Sequence, residues 1–280
     1  MDHGAGAIEL SVLLPAFVAG LIVLSTHVPM GQQVLGRGIV FIDLAIAQVA
    51  GLGVTLAGAF GSEPSNLTIQ LAACAAALIG ALLLTWTEKK WPEVQEALIG
   101  VLFVAAASIE LLLLANNPHG GEHLKDLLVG QILWVSLSSL WPIALFYALA
   151  LAVWFGFRAR MGQVGFYVLF ALVVTQSVQL VGVYLVFASL IVPALAARRF
   201  APRLRLVVGY SVGVAGYVLG LVISSLMDLP TGAAIVVTLI AAFVVSVIVS
   251  AMVPVTARPY AGARLCELRN PSTSKMHSTR

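Results

Sequence analysis

Residues 161–197 read MGQVGFYVLFALVVTQSVQLVGVYLVFASLIVPALAA, 37 residues between Arg160 and Arg198 with no formal charge. A single helix of that length would run about 55 Å at the helical rise per residue. The hydrocarbon core of a bilayer is only ~30 Å thick. Two readings follow: one helix with a long overhang, or two short helices folded back at the polar segment Gln176-Ser177-Val178-Gln179. The charges elsewhere in the chain choose between them. Further apolar runs stand at 8–28, 39–61, 66–87, 94–115, 134–156, 206–227 and 232–253, each close to the ~20 residues a crossing needs. With a hairpin at 164–197 there are nine spans. Arg37, Lys89, Lys90, Arg158, Arg160, Arg198, Arg199, Arg203, Arg205 and the five basic residues of the C-terminal tail then face one side, leaving only Lys125 opposite. A single crossing gives eight spans and splits the same 15 basic residues 10 to 5 at best. Loop Lys/Arg bias sets membrane orientation, and the biased side is the cytoplasm. The expected fold is therefore an all-α, polytopic transmembrane bundle of eight or nine spans including a short broken-helix hairpin. Its N-terminus is outside and its C-terminus is cytoplasmic.

Composition agrees. The chain has 280 residues, 60% hydrophobic and 10% charged, with a mean hydropathy of +1.03. Soluble domains carry about 25% charged residues, so a cytosolic enzyme, a disordered chain and a disulfide-stapled secreted module are excluded. Cys74 lies in an apolar run and Cys266 in the polar tail, which implies no disulfide framework. The basic excess reports topology and lipid contact rather than nucleic acid. The acidic start Met1-Asp2-His3-Gly4 lacks the positive region of a signal peptide, so the first apolar segment is expected to be a retained span. Residues 1–253 form one transmembrane domain, and 254–280 read as a mobile basic cytoplasmic tail. Gly209/Gly213 and Gly216/Gly220 have the spacing that lets helix backbones approach closely.

Polar groups inside the bilayer are expensive and mark candidate functional positions. Asp43, four to five residues into the second span, and Glu110, deep in the fourth, are the two acids so placed. Gln48 follows Asp43 by about one and a half turns, and the two offer oxygen ligands to a passing cation. The plainer reading has Asp43 capping its helix or pairing with Arg37; Glu96 reads as interfacial. On the outer side, the segment 116–126 gathers His119, Glu122, His123 and Asp126, groups that suit zinc. Its His-x-x-Glu-His also matches an inverted zinc-peptidase signature. Adjacent Gly120 and Gly121 argue against a rigid catalytic helix and leave two readings, a loop that receives a cation transiently and a polar loop merely shaped by its turn residues. The chain contains no Gly-x-x-x-x-Gly-Lys-Ser/Thr phosphate loop, so ATP-driven transport needs a separate ATPase, with 157–163 and 198–205 as its natural docking surfaces.

Four segments, in order, resemble the membrane permeases of zinc/manganese/iron-type ABC importers: residues 34–45 (VLGRGIVFIDLA), 118–130 (PHGGEHLKDLLVG), 181–186 (VGVYLV) with 190–194 (LIVPA), and 228–233 (DLPTGA). The likeness runs from about residue 12 to 252. It implies a homodimeric permease, two cytoplasmic ATP-binding subunits and an extracytoplasmic metal-binding protein, with Asp43 facing the translocation path. The family commonly carries Ser-His four residues after that Asp, where this chain has Ala47 and Gln48. The coupling segment, usually Asp-Pro-x-x-Ala with a later Gly, here reads Phe157-Arg158-Ala159-Arg160-Met161-Gly162 and lacks the acid. Arg158, Arg160, Gly162, Arg198 and Arg199 are the expected docking residues.

The leading expectation is a non-enzymatic transport subunit in a bacterial inner membrane. It passes a divalent cation, zinc first, past Asp43 and Gln48 and holds no permanent cofactor. Alternatives are a siderophore- or cobalamin-type permease, an intramembrane metallopeptidase through His119, Glu122 and His123, and a proton-coupled metal transporter using Asp43 and Glu110.

Overall fold

The computed structural model describes residues 10–60, 65–115, 120–157 and 160–252. They form ten α-helices: α1 (Leu10–Arg37), α2 (Ile42–Phe60), α3 (Asn66–Lys90), α4 (Gln95–Leu114), α5 (Gly120–Val129), α6 (Leu137–Phe157), α7 (Gln163–Val181), α8 (Val183–Ala197), α9 (Arg205–Met227) and α10 (Thr231–Met252). Seven are long and apolar enough to cross a membrane; α2 and α8 are shorter apolar helices. Each expected apolar run is thus helical, with α1 extended to Arg37. The tail at 254–280 lies outside the described residues.

The long apolar stretch is two helices, as the charge bias required. The break is at Gly182, not at 176–179. The polar segment stays helical because its groups find partners there. Thr175 and Ser177 donate to the carbonyls of Ala171 and Val173 at 2.7 Å each, Gln176 accepts from Gln70 of α3 at 2.8 Å, and the hydroxyls of Ser177 and Tyr147 on α6 hydrogen-bond. Gly182 has φ +83° and ψ 160°, a conformation essentially reserved for glycine. It meets Gly130, itself at φ +72°, backbone to backbone, just after α5. A broken helix leaves backbone groups that protein must cover inside a bilayer, and the end of α5 does the covering.

The other joints follow ordinary local rules. Ser65 caps α3 by accepting from the Thr68 amide at 3.2 Å, and Lys89 and Lys90 fall in its last turn, where cations favour the helix dipole. The α9–α10 turn uses Asp228 in the left-handed region, with Ser224 bonded to Leu229 and Thr231. The glycines of α9 work in two pairs. Gly216 and Gly220 face Leu239 and Ile235 of α10, while Gly209 and Gly213 face Val28 and Leu24 of α1. Thr238 of α10 donates to the Gly216 carbonyl at 2.7 Å across that close contact. Hydroxyl bonds also join α8 to α9 (Ser189–Tyr217, 2.9 Å) and α9 to α1 (Tyr210 to the Ser25 carbonyl, 2.8 Å).

Large apolar side chains stand on the outside, including Leu112 at 74% and Trp134 at 86% exposure. A surface of that kind suits lipid or a second membrane chain, not water.

Gly182→Ala places a Cβ against Val129 and Gly130 and forces a strained backbone. It is expected to destabilise by about 1–3 kcal/mol, read as a lower melting temperature of the detergent-solubilised protein. Gly58→Ala, which meets nothing within 4 Å on α2, serves as the neutral control.

Candidate functional site

The polar interior of the bundle gathers where α2 packs on α4. Asp43 lies in the first turn of α2, closer to the helix start than the span boundaries suggested, and is 1% exposed. Neither carboxylate oxygen has a full hydrogen bond, although the backbone amides of Asp43 and Leu44 lend partial positive charge. Its charged neighbour is Glu96, at the start of α4. One Glu96 oxygen accepts from the Phe41 amide at 3.2 Å and the other is buried without a partner. Arg37 does not pair with Asp43: its guanidinium lies 4.2 Å over the ring of Phe166 on α7. That contact, the Phe41–Glu96 bond and the Phe41–Phe187 ring stack bring the α1–α2 turn, α4, α7 and α8 together. Two like-charged groups with buried, unsatisfied oxygens form an arrangement that a proton or a cation completes.

Further along α2, Gln48 does not join Asp43. Five helical steps separate the two by about 140° around the axis. The Gln48 amide donates instead to Glu110 of α4, whose other carboxylate oxygen accepts from Thr55 at 3.0 Å. Glu110 is fully buried, and Gln48 and Thr55 nearly so. Gly51 stands beside the carboxylate: a Cβ there would lie 3.3 and 3.5 Å from its oxygens and 3.7 Å from Leu127 of α5. The structure therefore replaces the expected Asp43–Gln48 pair with two clusters, Asp43–Glu96 and Gln48–Glu110–Thr55.

The outer constellation is partly outside the described residues, as are His119 and the side chains of Glu122, His123 and Asp126. The backbone there corrects one expectation. Residues 120–129 are helical, because Gly120 and Gly121 occupy the first turn and the penalty for glycine applies to helix interiors. Among the described residues no three His, Cys, Asp or Glu side chains come together as a metal cage. A cleft of about 260 Å³ opens between the end of α5 and the α9–α10 turn. It is lined by Lys125, Gly130, Trp134 and Pro230 among others and lacks acidic groups among its lining residues.

Arg160, Arg198 and Arg199 are exposed on the turns before α7 and after α8, and Gly162 takes the N-cap position of α7. Arg158 lies outside the described residues. Sequence reasoning passed over His27 and Thr55. His27 is buried in α1, with Nδ1 near the Val23 carbonyl at 2.9 Å and Nε2 unpartnered. An imidazole in an apolar run was the available signal. Nothing in the one-dimensional pattern distinguished Thr55 from the other hydroxyls of the spans.

Known proteins share this architecture. A manganese transport system membrane protein, MntC, from Halalkalibacterium halodurans is 26% identical over 92% of this chain and 94% of its own length. The high-affinity zinc uptake system membrane protein ZnuB from Haemophilus influenzae is 23% identical over 84% of this chain and 96% of its own. Among solved structures, PsaBC from Streptococcus pneumoniae in complex with Fab superposes with a TM-score of 0.65 at 22% identity, covering 84% of this chain and 89% of that one. Residues 9–164 and 150–250 match the ABC 3 transport family, and the chain is a multi-pass membrane protein of that family.

Proposed function

We propose that the chain imports a divalent first-row metal ion, zinc or manganese, as one half of a homodimeric permease. Two cytoplasmic ATP-binding subunits drive it, and an extracytoplasmic binding protein delivers the ion. The chain is the permease subunit and not the ATPase. The observation that supports ion passage most directly is Asp43, a carboxylate buried in the bundle with both oxygens unsatisfied. A group left in that condition destabilises the fold, so its presence is accounted for by an ion it meets in transit. Sparse oxygen ligands hold a divalent ion weakly enough to release it, and selectivity is shared with the delivery protein. The names of the relatives, one for manganese and one for zinc, agree with this class of cargo.

Orientation follows from the charges. The turns carrying Arg37, Lys89, Lys90, Arg160, Arg198 and Arg199 face the cytoplasm of a bacterial inner membrane. The exposed arginines before α7 and after α8 then stand where ATP-binding subunits dock.

Asp43→Asn is expected to cut uptake of radiolabelled zinc and manganese into membrane vesicles by about tenfold or more. It should leave the melting temperature of the purified protein unchanged or raised, since an unsatisfied buried carboxylate is removed. Unchanged uptake would remove Asp43 from the path. Reversing two docking charges together, Arg198→Glu with Arg199→Glu, is expected to lower co-purification of the ATP-binding subunits about tenfold. Membrane abundance of the permease, followed by immunoblot, stays at the level of the unaltered chain.

A further inference from the structure

We propose that the C-terminal end of α3 holds the headgroup of an anionic phospholipid, with Lys89 and Lys90 meeting the phosphate and Trp86 and Trp91 framing it. The site does not depend on which ion the permease carries.

Leu67, Leu71, Ile79, Leu82 and Trp86 share one exposed face of α3. From Leu67 to Trp86 that face runs about 28 Å at the helical rise. The length matches the ~30 Å hydrocarbon core of a bilayer. Polar groups stand beyond both ends of it: Ser65 caps the start of the helix, and the last turn carries Lys89 and Lys90. Lys89, Lys90 and Trp91 therefore lie at the level of the headgroups, where tryptophan and lysine act as interfacial anchors. In the orientation proposed above, this is the cytoplasmic leaflet.

Trp86 and Trp91 stand edge to face, with ring centroids 5.3 Å apart and planes at 86°. The Lys90 ammonium sits 5.1 Å from the centre of the first ring and 4.8 Å from that of the second. Both distances are within the reach of a cation–π contact. Two rings thus fix a flexible ammonium at the surface before anything binds, which lowers the ordering cost of binding. The rings stay open to the outside, Trp86 at 51% and Trp91 at 42% exposure, and both lysines are exposed. Indole N–H and ammonium groups are donors only, a set that the acceptor oxygens of a phosphate complement.

The neighbouring acids do not neutralise the lysines. Glu88 is half-buried beside Tyr167 of α7, and Glu93 is exposed in the turn Pro92–Val94. Among the described residues neither lysine forms an ion pair. The anion that completes them comes from outside the chain, and in the headgroup layer that anion is a lipid phosphate. The inner side of the same turn is already braced. Thr87 donates to the Gln95 side-chain oxygen at 2.9 Å, and the Gln95 amide donates to the Leu84 carbonyl at 3.0 Å. A lipid on the outer side and this network on the inner side hold the α3–α4 turn between them. Glu96, the next residue, accepts from the Phe41 amide, so the hold extends to the α1–α2 turn.

The test uses the full-length permease purified in detergent, with phosphatidylglycerol or phosphatidylcholine of the same acyl chains added. Phosphatidylglycerol is expected to raise the melting temperature of the unaltered protein, and phosphatidylcholine to leave it nearly unchanged. In Lys89→Gln with Lys90→Gln that lipid-specific rise is lost. The affinity of the tightest phosphatidylglycerol site, titrated by native mass spectrometry, falls about tenfold or more. Lys89→Arg with Lys90→Arg keeps both. A role confined to the helix dipole lowers the melting temperature of the Gln variant equally with either lipid and leaves the affinity unmoved, a result that overturns the site. Should the Gln variant fail to fold, Trp86→Leu with Trp91→Leu decides the matter. It keeps the apolar surface and removes the rings that place Lys90, so affinity is expected to fall about threefold or more, and unchanged affinity overturns the site. Loss of the ATP-binding subunits from the Gln variant with phosphatidylglycerol affinity intact assigns the lysines to that interface and overturns it as well.

Discussion

Inside a bilayer no water is present to satisfy a loose peptide group, and this structure is organised around that constraint. The chain breaks a helix in the middle of its longest apolar run, between α7 and α8, and the break survives because another piece of backbone lies against it. Gly130 and Gly182 approach so closely that neither leaves room for a side chain. The cover comes from the end of α5, a ten-residue helix that would otherwise have no clear structural task. The short α8 is thereby held in place and packs on α1, α9 and α10.

The same constraint explains how polar side chains are distributed. Hydroxyls on α6, α7, α8 and α9 bond to carbonyls of their own helix or to hydroxyls across an interface. They fasten helices together and are themselves fully used. The carboxylates behave differently. Asp43 and Glu96 keep buried oxygens without partners, and Glu110 accepts from Gln48 and Thr55. All three lie on α2 or α4. The interface between those helices thus gathers three carboxylates, while α1 and α3 hold scattered unpartnered atoms, among them Nε2 of His27 and one oxygen of Glu88.

Much of the architecture was legible in the sequence because membrane insertion acts on composition. The expected bias of 14 of the 15 basic residues to one side called for two helices in 161–197, and two are there. The position of the break was not legible. Gln176 and Gln179 looked like the weak point, yet Gln176 is satisfied by Gln70, a residue 106 positions away. Gly182 appeared as one glycine among 25, and only its neighbour Gly130 shows why it is the joint. The helical state of 120–129 was missed because the two glycines were weighed as interior residues when they begin the helix. Asp43, Gln48 and Glu110 were each visible as polar residues in apolar runs. Which of them meet depends on the α2–α4 packing, so the pairing of Gln48 with Glu110 rather than Asp43 could not be read from spacing alone.

The two facing glycines carry a consequence for how such a chain can change over generations. Each occupies the space the other's side chain would need, so neither position can drift alone, and the joint is inherited as a unit. The buried polar side chains of α2 are under no such mutual lock. A lineage built this way can exchange one or two side chains on α2 while the fold that carries them stays fixed.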